Sequence, residues 1–297
     1  MAGHTPTTEP ILVFGATGKQ GGAVARHLAK SGFHVRAVTR EPDRPAARAL
    51  AAADIEVVKG DLNDRSSVEQ VMRGAYGVFS VQDFWTAGFD TEIAQGTLVA
   101  EVARSSGVQH FVYSSVASAD RSTGLAHFDS KWIIEQRIHE LGLPFTILRP
   151  VFFMENWETV RGHIVNGALP QPLDPDCPLQ QIATDDIGAV ATLAFCNAGR
   201  WLGRVVELAG EELTMRQTAE TFSRVLGRPV EYVQVPWDTF AQATSRETAR
   251  MYRWFQDVGY QVDIPALRQE CPDLKTLDQF LHEQPWVRAE ISAGSYV

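Results

Sequence analysis

Short apolar bursts alternate with helical patterns from residue 11 onward, and the alternation repeats five times within about 140 residues. Segments 11–14, 33–39, 55–58, 75–81, 109–114 and 144–148 read as strands. Helical stretches fall between them: 23–29, a segment carrying Val68, Val71 and Met72, 92–105, and one ending near Leu141. Ser66 and Glu69 have the spacing of a capping box for the second of these. A strand that returns through a helix to a parallel neighbour crosses over right-handed, so the repeat dictates a parallel sheet with helices on both faces. The expected fold class is α/β: a doubly wound Rossmann sheet followed by a smaller mixed α/β C-terminal lobe.

The rhythm degrades after Pro150. Pro170, Pro172, Pro175 and Pro178 crowd together and predict an irregular connection. Beyond them, 180–184 reads as a strand, with Asp185 or Asp186 capping a helix through Phe195. Segments 205–208 and 230–235 read as further strands, and Thr214/Gln217 and Thr276/Gln279 as helix-opening capping boxes. The expected organisation is a flexible tail over 1–8, a nucleotide-binding Rossmann domain over 9–152, and a lobe over 153–297. Parts of 180–198 and 229–245 are expected to rejoin the Rossmann domain.

Composition excludes several classes. With 36 acidic against 27 basic residues the net charge is −9. That balance disfavours direct nucleic-acid binding or adhesion to an anionic membrane, both of which draw on a surplus of Lys and Arg. No apolar run approaches the ~18 residues of a membrane span. The three cysteines have no C-x-x-C spacing, and the eight histidines have no ligand spacing. Neither a disulfide framework nor a metal site is expected, and a cytoplasmic location fits.

The turn after the first strand reads Gly15-Ala16-Thr17-Gly18-Lys19-Gln20-Gly21-Gly22. In a strand–turn–helix setting the first glycine permits the bend, the second admits a diphosphate, and the third allows close helix packing. The helix N-terminus offers free N–H groups. Gly15, Thr17, Gly18, Lys19, Gln20 and Gly21 are therefore expected to bind the cofactor. At the end of the second strand Arg40 points to a 2′-phosphate and hence to NADP. Glu41 is the complication, since an inward carboxylate there would suit NAD. Asp61 and Leu62 follow the third strand beside the expected adenine position, although Asp61 reads equally well as a local turn cap. Val81 and Gln82 end the fourth strand and Ser114 the fifth. Pro150 and Phe152, at the end of the sixth, complete the cofactor set.

These strings resemble the NmrA-like branch of atypical short-chain dehydrogenases. So do Val38-Thr39-Arg40, Gly60-Asp61, Tyr113-Ser114-Ser115, His127 through Lys131, 148–156, 249–255 and 274–280, so the resemblance covers nearly the whole chain. It implies a Rossmann domain, a small C-terminal lobe and a preference for NADP(H). Some members are reductases, and others are regulators that bind the nucleotide without turnover. Typical short-chain dehydrogenases carry a Tyr-x-x-x-Lys pair. Lys131 matches the Lys, expected at the nicotinamide ribose, whereas His127 stands at the Tyr position.

His127 has two readings, a general acid and a space-filling residue at the start of a helix. Phe84, Trp85, Phe153 and Asn156 are the candidates for substrate contact. The expected function is NADPH-dependent reduction of a small electron-poor molecule such as a quinone, enone or imine. The alternative is an NADP(H)-sensing regulator acting through a homodimer or a protein partner.

Overall fold

The computed structural model describes residues 8–294. Most of the segment expected as a tail, residues 1–7, lies outside them. The first elements are β1 (Ile11–Val13), α1 (Lys19–Lys30), β2 (Val35–Thr39), α2 (Pro45–Ala52), β3 (Glu56–Lys59), α3 (Arg65–Met72) and β4 (Gly77–Ser80). They continue through α4 (Phe84–Ala87), α5 (Phe89–Ser105), β5 (His110–Ser114), α6 (Ala126–Glu140) and β6 (Phe145–Pro150). Later come β7 (Phe152–Phe153), α7 (Arg161–Val165), β8 (Ala168–Gln171), β9 (Pro178–Ile182), α8 (Thr184–Cys196), α9 (Ala198–Trp201), β10 (Arg204–Leu208) and β11 (Glu211–Thr214). The chain ends with α10 (Met215–Leu226), β12 (Glu231–Gln234), α11 (Trp237–Ala243), α12 (Arg246–Asp257), α13 (Ile264–Glu270), α14 (Leu277–Glu283) and α15 (Pro285–Gly294).

Two compact units result. The first comprises residues up to Pro150 together with Ile187–Glu207, and the second Val151–Asp186 with 208 onward. In the first, seven strands form one sheet in the order β10-β6-β5-β4-β1-β2-β3. The pairings β1–β2, β1–β4, β2–β3, β4–β5 and β5–β6 are all parallel. The chain winds from β1 outward to β3, then crosses back to β4 and winds the other way. A crevice therefore opens beyond the carboxyl ends of β1 and β4, where such sheets take their ligands. This is the doubly wound α/β architecture read from the alternation.

Alternation of side chains along the buried strands separates two apolar faces. Leu12, Val38, Val78, Phe111 and Tyr113 join Val68, Val71, Met72, Val99, Ala103, Ile134 and Ile138 in one cluster, so α3, α5 and α6 cover that face. On the other side α8 lies against α1 and β4. A β-carbon on Gly188 would fall 2.8 Å from the Ala23 carbonyl carbon, and one on Gly77 2.7 Å from the Phe195 ring. The helix after the third strand is capped differently from expectation. Asp64 accepts from the Ser66 N–H and α3 starts at Arg65, because an aspartate two residues nearer the strand reaches the free amide first.

In the second unit β11-β9-β7 form one small sheet and β12-β8 another. The segment expected to be an irregular connection supplies two strands. Pro170 lies inside β8, which among the described residues pairs only with β12, so its missing N–H removes no ladder bond on the open edge. Segment 229–245 does not rejoin the large sheet, since β12 pairs with β8; residues 187–207 do, through α8 and β10. Both later capping boxes form as read, Thr214 with Gln217 and Thr276 with Gln279.

Candidate functional site

The glycine turn takes the geometry that its spacing demands. Gly15 sits in the left-handed region at φ +67°, and a β-carbon there would meet Val81 Cγ1 at 2.7 Å. The Gly18 N–H closes the bend on the Gly15 carbonyl at 2.9 Å. Gly21 matters most: its β-carbon would lie 2.3 Å from the Gly15 carbonyl oxygen. Only hydrogen fits there, and the first turn of α1 presses directly on the bend. Gly18 caps α1 without any side-chain hydrogen bond, which leaves the opening N–H groups of a 12-residue helix to an outside acceptor. Thr17, Gly18 and Lys19 are exposed on this rim. Gln20 is half-buried and ties the turn to β5, its Oε1 accepting from Ser114 Oγ at 2.7 Å.

At the end of β2 the two rival charges separate. Glu41 is held by Arg44, with Nε to Oε2 at 2.7 Å and an Nη2 donation to Oε1 at 2.8 Å. Arg40 is exposed and forms no ion pair with any described residue. Among the described residues the cation thus has no ion-pair partner, whereas the carboxylate has one. Asp61 acts as a turn cap: its Oδ1 accepts from the Asn63 N–H and from Asn63 Nδ2, both at 3.0 Å. Leu62 is half-buried against the core.

A second cluster lies at the carboxyl end of β4 and between α5 and α6. Gln82 is buried and donates through Nε2 to Ser80 Oγ at 2.9 Å. Lys131 Nζ stands 3.5 Å from the Gln82 carbonyl oxygen and 2.7 Å from Glu92 Oε1. Glu92 has no solvent exposure, and its other oxygen accepts from Ser130 Oγ. Sequence reasoning missed Glu92: it opens an amphipathic helix like any first-turn acid, and only the packing of α5 on α6 brings it to Lys131. One turn further on, a β-carbon on Gly96 would lie 2.5 Å from Ile134 Cδ1. That glycine was the available signal for a close helix pair.

His127 precedes Lys131 by one turn and is buried. Its ring sits 5.0 Å from Trp85, 5.6 Å from Phe84 and 4.7 Å from Phe128, centroid to centroid. Trp85 is 55% exposed, on the short α4 that Asp83 caps by accepting from the Trp85 N–H. Tyr113 cannot take the place of the absent tyrosine. Burial pushes its phenol well above the ordinary range, the Glu92 and Glu135 charges push it further, and it points into the core.

The turn, Arg40, Asp61, Leu62, Val81, Gln82, Ser114, His127, Lys131, Phe84, Trp85 and Pro150 all belong to the first unit. The Pro150 carbonyl there accepts from the Ala117 N–H at 3.0 Å. Phe152, Phe153 and Asn156 belong to the second unit. Phe152 is buried there against Trp157 and Phe255, and Phe153 and Asn156 are half-buried. Among the described residues no group of three or more His, Cys, Asp or Glu is placed to hold a metal ion. No described helix is long and apolar enough to cross a membrane.

The chain matches the NmrA-like family over residues 7–281. It is 32% identical over 230 residues to a (4-alkanoyl-5-oxo-2,5-dihydrofuran-3-yl)methyl phosphate reductase of Streptomyces griseus, covering 77% of this chain and 78% of that protein. Among solved structures it resembles Nmra, a negative transcriptional regulator, with a TM-score of 0.79 at 23% identity over 97% of this chain and 98% of the other. It also resembles an NADPH-dependent quinone oxidoreductase of Escherichia coli complexed with NADPH, with a TM-score of 0.76 at 24% identity, covering 91% and 98%.

Proposed function

The chain belongs to the NmrA-like family, and from that premise we propose that it binds NADP(H) and reduces a small, planar, electron-poor acceptor such as a quinone, enone or imine. The observation that carries this reading is an ammonium, Lys131, 3.5 Å from the Gln82 carbonyl oxygen on the rim of the sheet that also bears a glycine turn closed to a β-carbon at Gly15 and Gly21. The residues present fit the nucleotide. Uncapped N–H groups of the first turn of α1 suit a diphosphate, and Arg40, without an ion pair among the described residues, suits a 2′-phosphate. NADPH, when bound, supplies the hydride.

This chain's own side chains do the rest. Gly15, Thr17, Gly18, Lys19, Gln20 and Gly21 hold the diphosphate. Asp61 and Leu62 border the adenine, and Val81, Gln82 and Ser114 line the floor. Lys131 donates to the ribose hydroxyls and so orients the ring. Phe84 and Trp85 present an aromatic wall to the acceptor and exclude water from it. His127 holds the proton that the acceptor's heteroatom takes up. Quinones, enones and imines need hydride placement more than a strong acid, which accounts for an imidazole where typical short-chain dehydrogenases carry a phenol. The reductase and the NADPH-bound quinone oxidoreductase among its similar proteins support the same chemistry.

The purified chain should oxidise NADPH in the presence of at least one class in a panel of quinones, enones and imines, followed by loss of NADPH absorbance. Lys131→Ala should reduce that turnover at least tenfold, about the loss of one charge-assisted hydrogen bond. A second reading, an NADP(H) sensor without turnover, draws on the burial of His127 among Phe84, Trp85 and Phe128 and on the likeness to a transcriptional regulator. Nucleotide binding with no turnover across the whole panel, and a change of oligomeric state on binding, would select it.

A further inference from the structure

We infer that Glu92 is a positioning residue that aims Lys131 at the carboxyl end of β4; the inference rests on the NADP(H) reading above. The two helices meet in matched rungs. Glu92 faces Ser130 and Lys131, Gly96 faces Ile134, and Glu101 takes Arg137 at 2.9 Å. Gly96 sets the spacing, because any side chain there would collide with Ile134 and part the helices one turn from Glu92.

The carboxylate so enclosed grips two consecutive residues of α6, the Ser130 hydroxyl with one oxygen and the Lys131 ammonium with the other. A wholly buried carboxylate is an expensive way to staple two helices, since apolar side chains of similar volume hold them without the desolvation cost. What it adds is direction. Lysine is a compact charge on a flexible four-carbon stem. Glu92 removes that freedom and leaves the Lys131 side chain only 13% exposed, with Nζ also 3.5 Å from the Gln82 carbonyl oxygen. Sites act when their contact groups are locked by a supporting shell of this kind.

A double-mutant cycle on the full chain tests the role, read by calorimetry with NADP+ and by peptide-resolved acetylation of Lys131 without nucleotide. Lys131→Ala should raise the NADP+ Kd about tenfold and Glu92→Gln by a similar factor, with the double variant no weaker than Lys131→Ala. Acetylation of Lys131 should be severalfold faster in Glu92→Gln than in the unaltered chain. Ser130→Ala, which frees one Glu92 oxygen and keeps the charge, should give a smaller change of the same sign should Glu92→Gln fold poorly. Additive effects in the cycle, or an unchanged Kd and acetylation rate in Glu92→Gln, would overturn the inference and reduce Glu92 to a helix staple. Failure of the unaltered chain to bind NADP+ would remove the functional reading instead. The acetylation arm then decides whether Glu92 holds Lys131, and an unchanged rate overturns it.

Discussion

Arg40 is the residue on which cofactor choice turns, and Arg40→Ala isolates it. The guanidinium is exposed and unpaired among the described residues, so its removal breaks no internal contact and leaves stability near that of the parent. What is lost is one charge-assisted hydrogen bond to a 2′-phosphate, worth about 1.5–3 kcal/mol. Exposure and ionic screening place the effect at the lower end, about 1.5 kcal/mol, which is about tenfold in affinity. Calorimetric titration with NADP+ and NAD+ at one fixed ionic strength should therefore show NADP+ weakened about tenfold and NAD+ unchanged. Arg44→Ala supplies the complementary test. It releases Glu41 from its clamp, so NADP+ should weaken through repulsion while NAD+ holds or improves. Equal weakening of both nucleotides by Arg40→Ala, or of neither, would refute the argument from β2.

Two further outcomes concern the frame that carries the site. Gly21→Ala drives a methyl to 2.3 Å from a backbone carbonyl that has no side-chain freedom to yield. Urea unfolding should show a loss of about 3 kcal/mol, the upper part of the overpacking range, together with weakened NADP+ binding. Burial lowers His110 from 6.5 to about 4, so the folded state keeps it neutral where the unfolded chain is protonated. Its contribution is intact above pH 6.5 and falls as pH drops toward about 4, by about 3 kcal/mol at about 1.4 kcal/mol for each pH unit. Burial raises Asp186 to about 6, which has the opposite sense: its contribution is present at low pH and is lost as pH rises through about 6. The stability difference between the parent and His110→Gln, measured by urea unfolding at pH 7 and pH 4.5, cancels that second effect. A difference independent of pH would contradict the burial argument.

Much of the first unit is legible in the amino-acid sequence. The central strands β1, β4 and β5 are buried along their whole length and read as short apolar runs between helical patterns, which a single chain displays directly. The glycine spacing at 15, 18 and 21 likewise speaks for itself, since a side chain is sterically barred at Gly15 and Gly21. The prolines misled, because a proline costs a strand nothing on an open edge, and which edge is open is a matter of pairing. Asp64 displaced Ser66 as a cap for a similar reason: several residues near a helix start can reach a free amide, and only the backbone path selects one.

The amino-acid sequence by itself determined a parallel, doubly wound sheet with a phosphate-sized notch at the head of α1 and a lysine one helical turn after a histidine. Those features depend on residues close together along the chain, whose periodicity and excluded volume act locally. Tertiary structure alone decided that Glu92 closes on Lys131 from a second helix, 39 residues away along the chain. Electrostatic pairing depends on distance in space and on the exclusion of water, and neither is fixed until the helices pack.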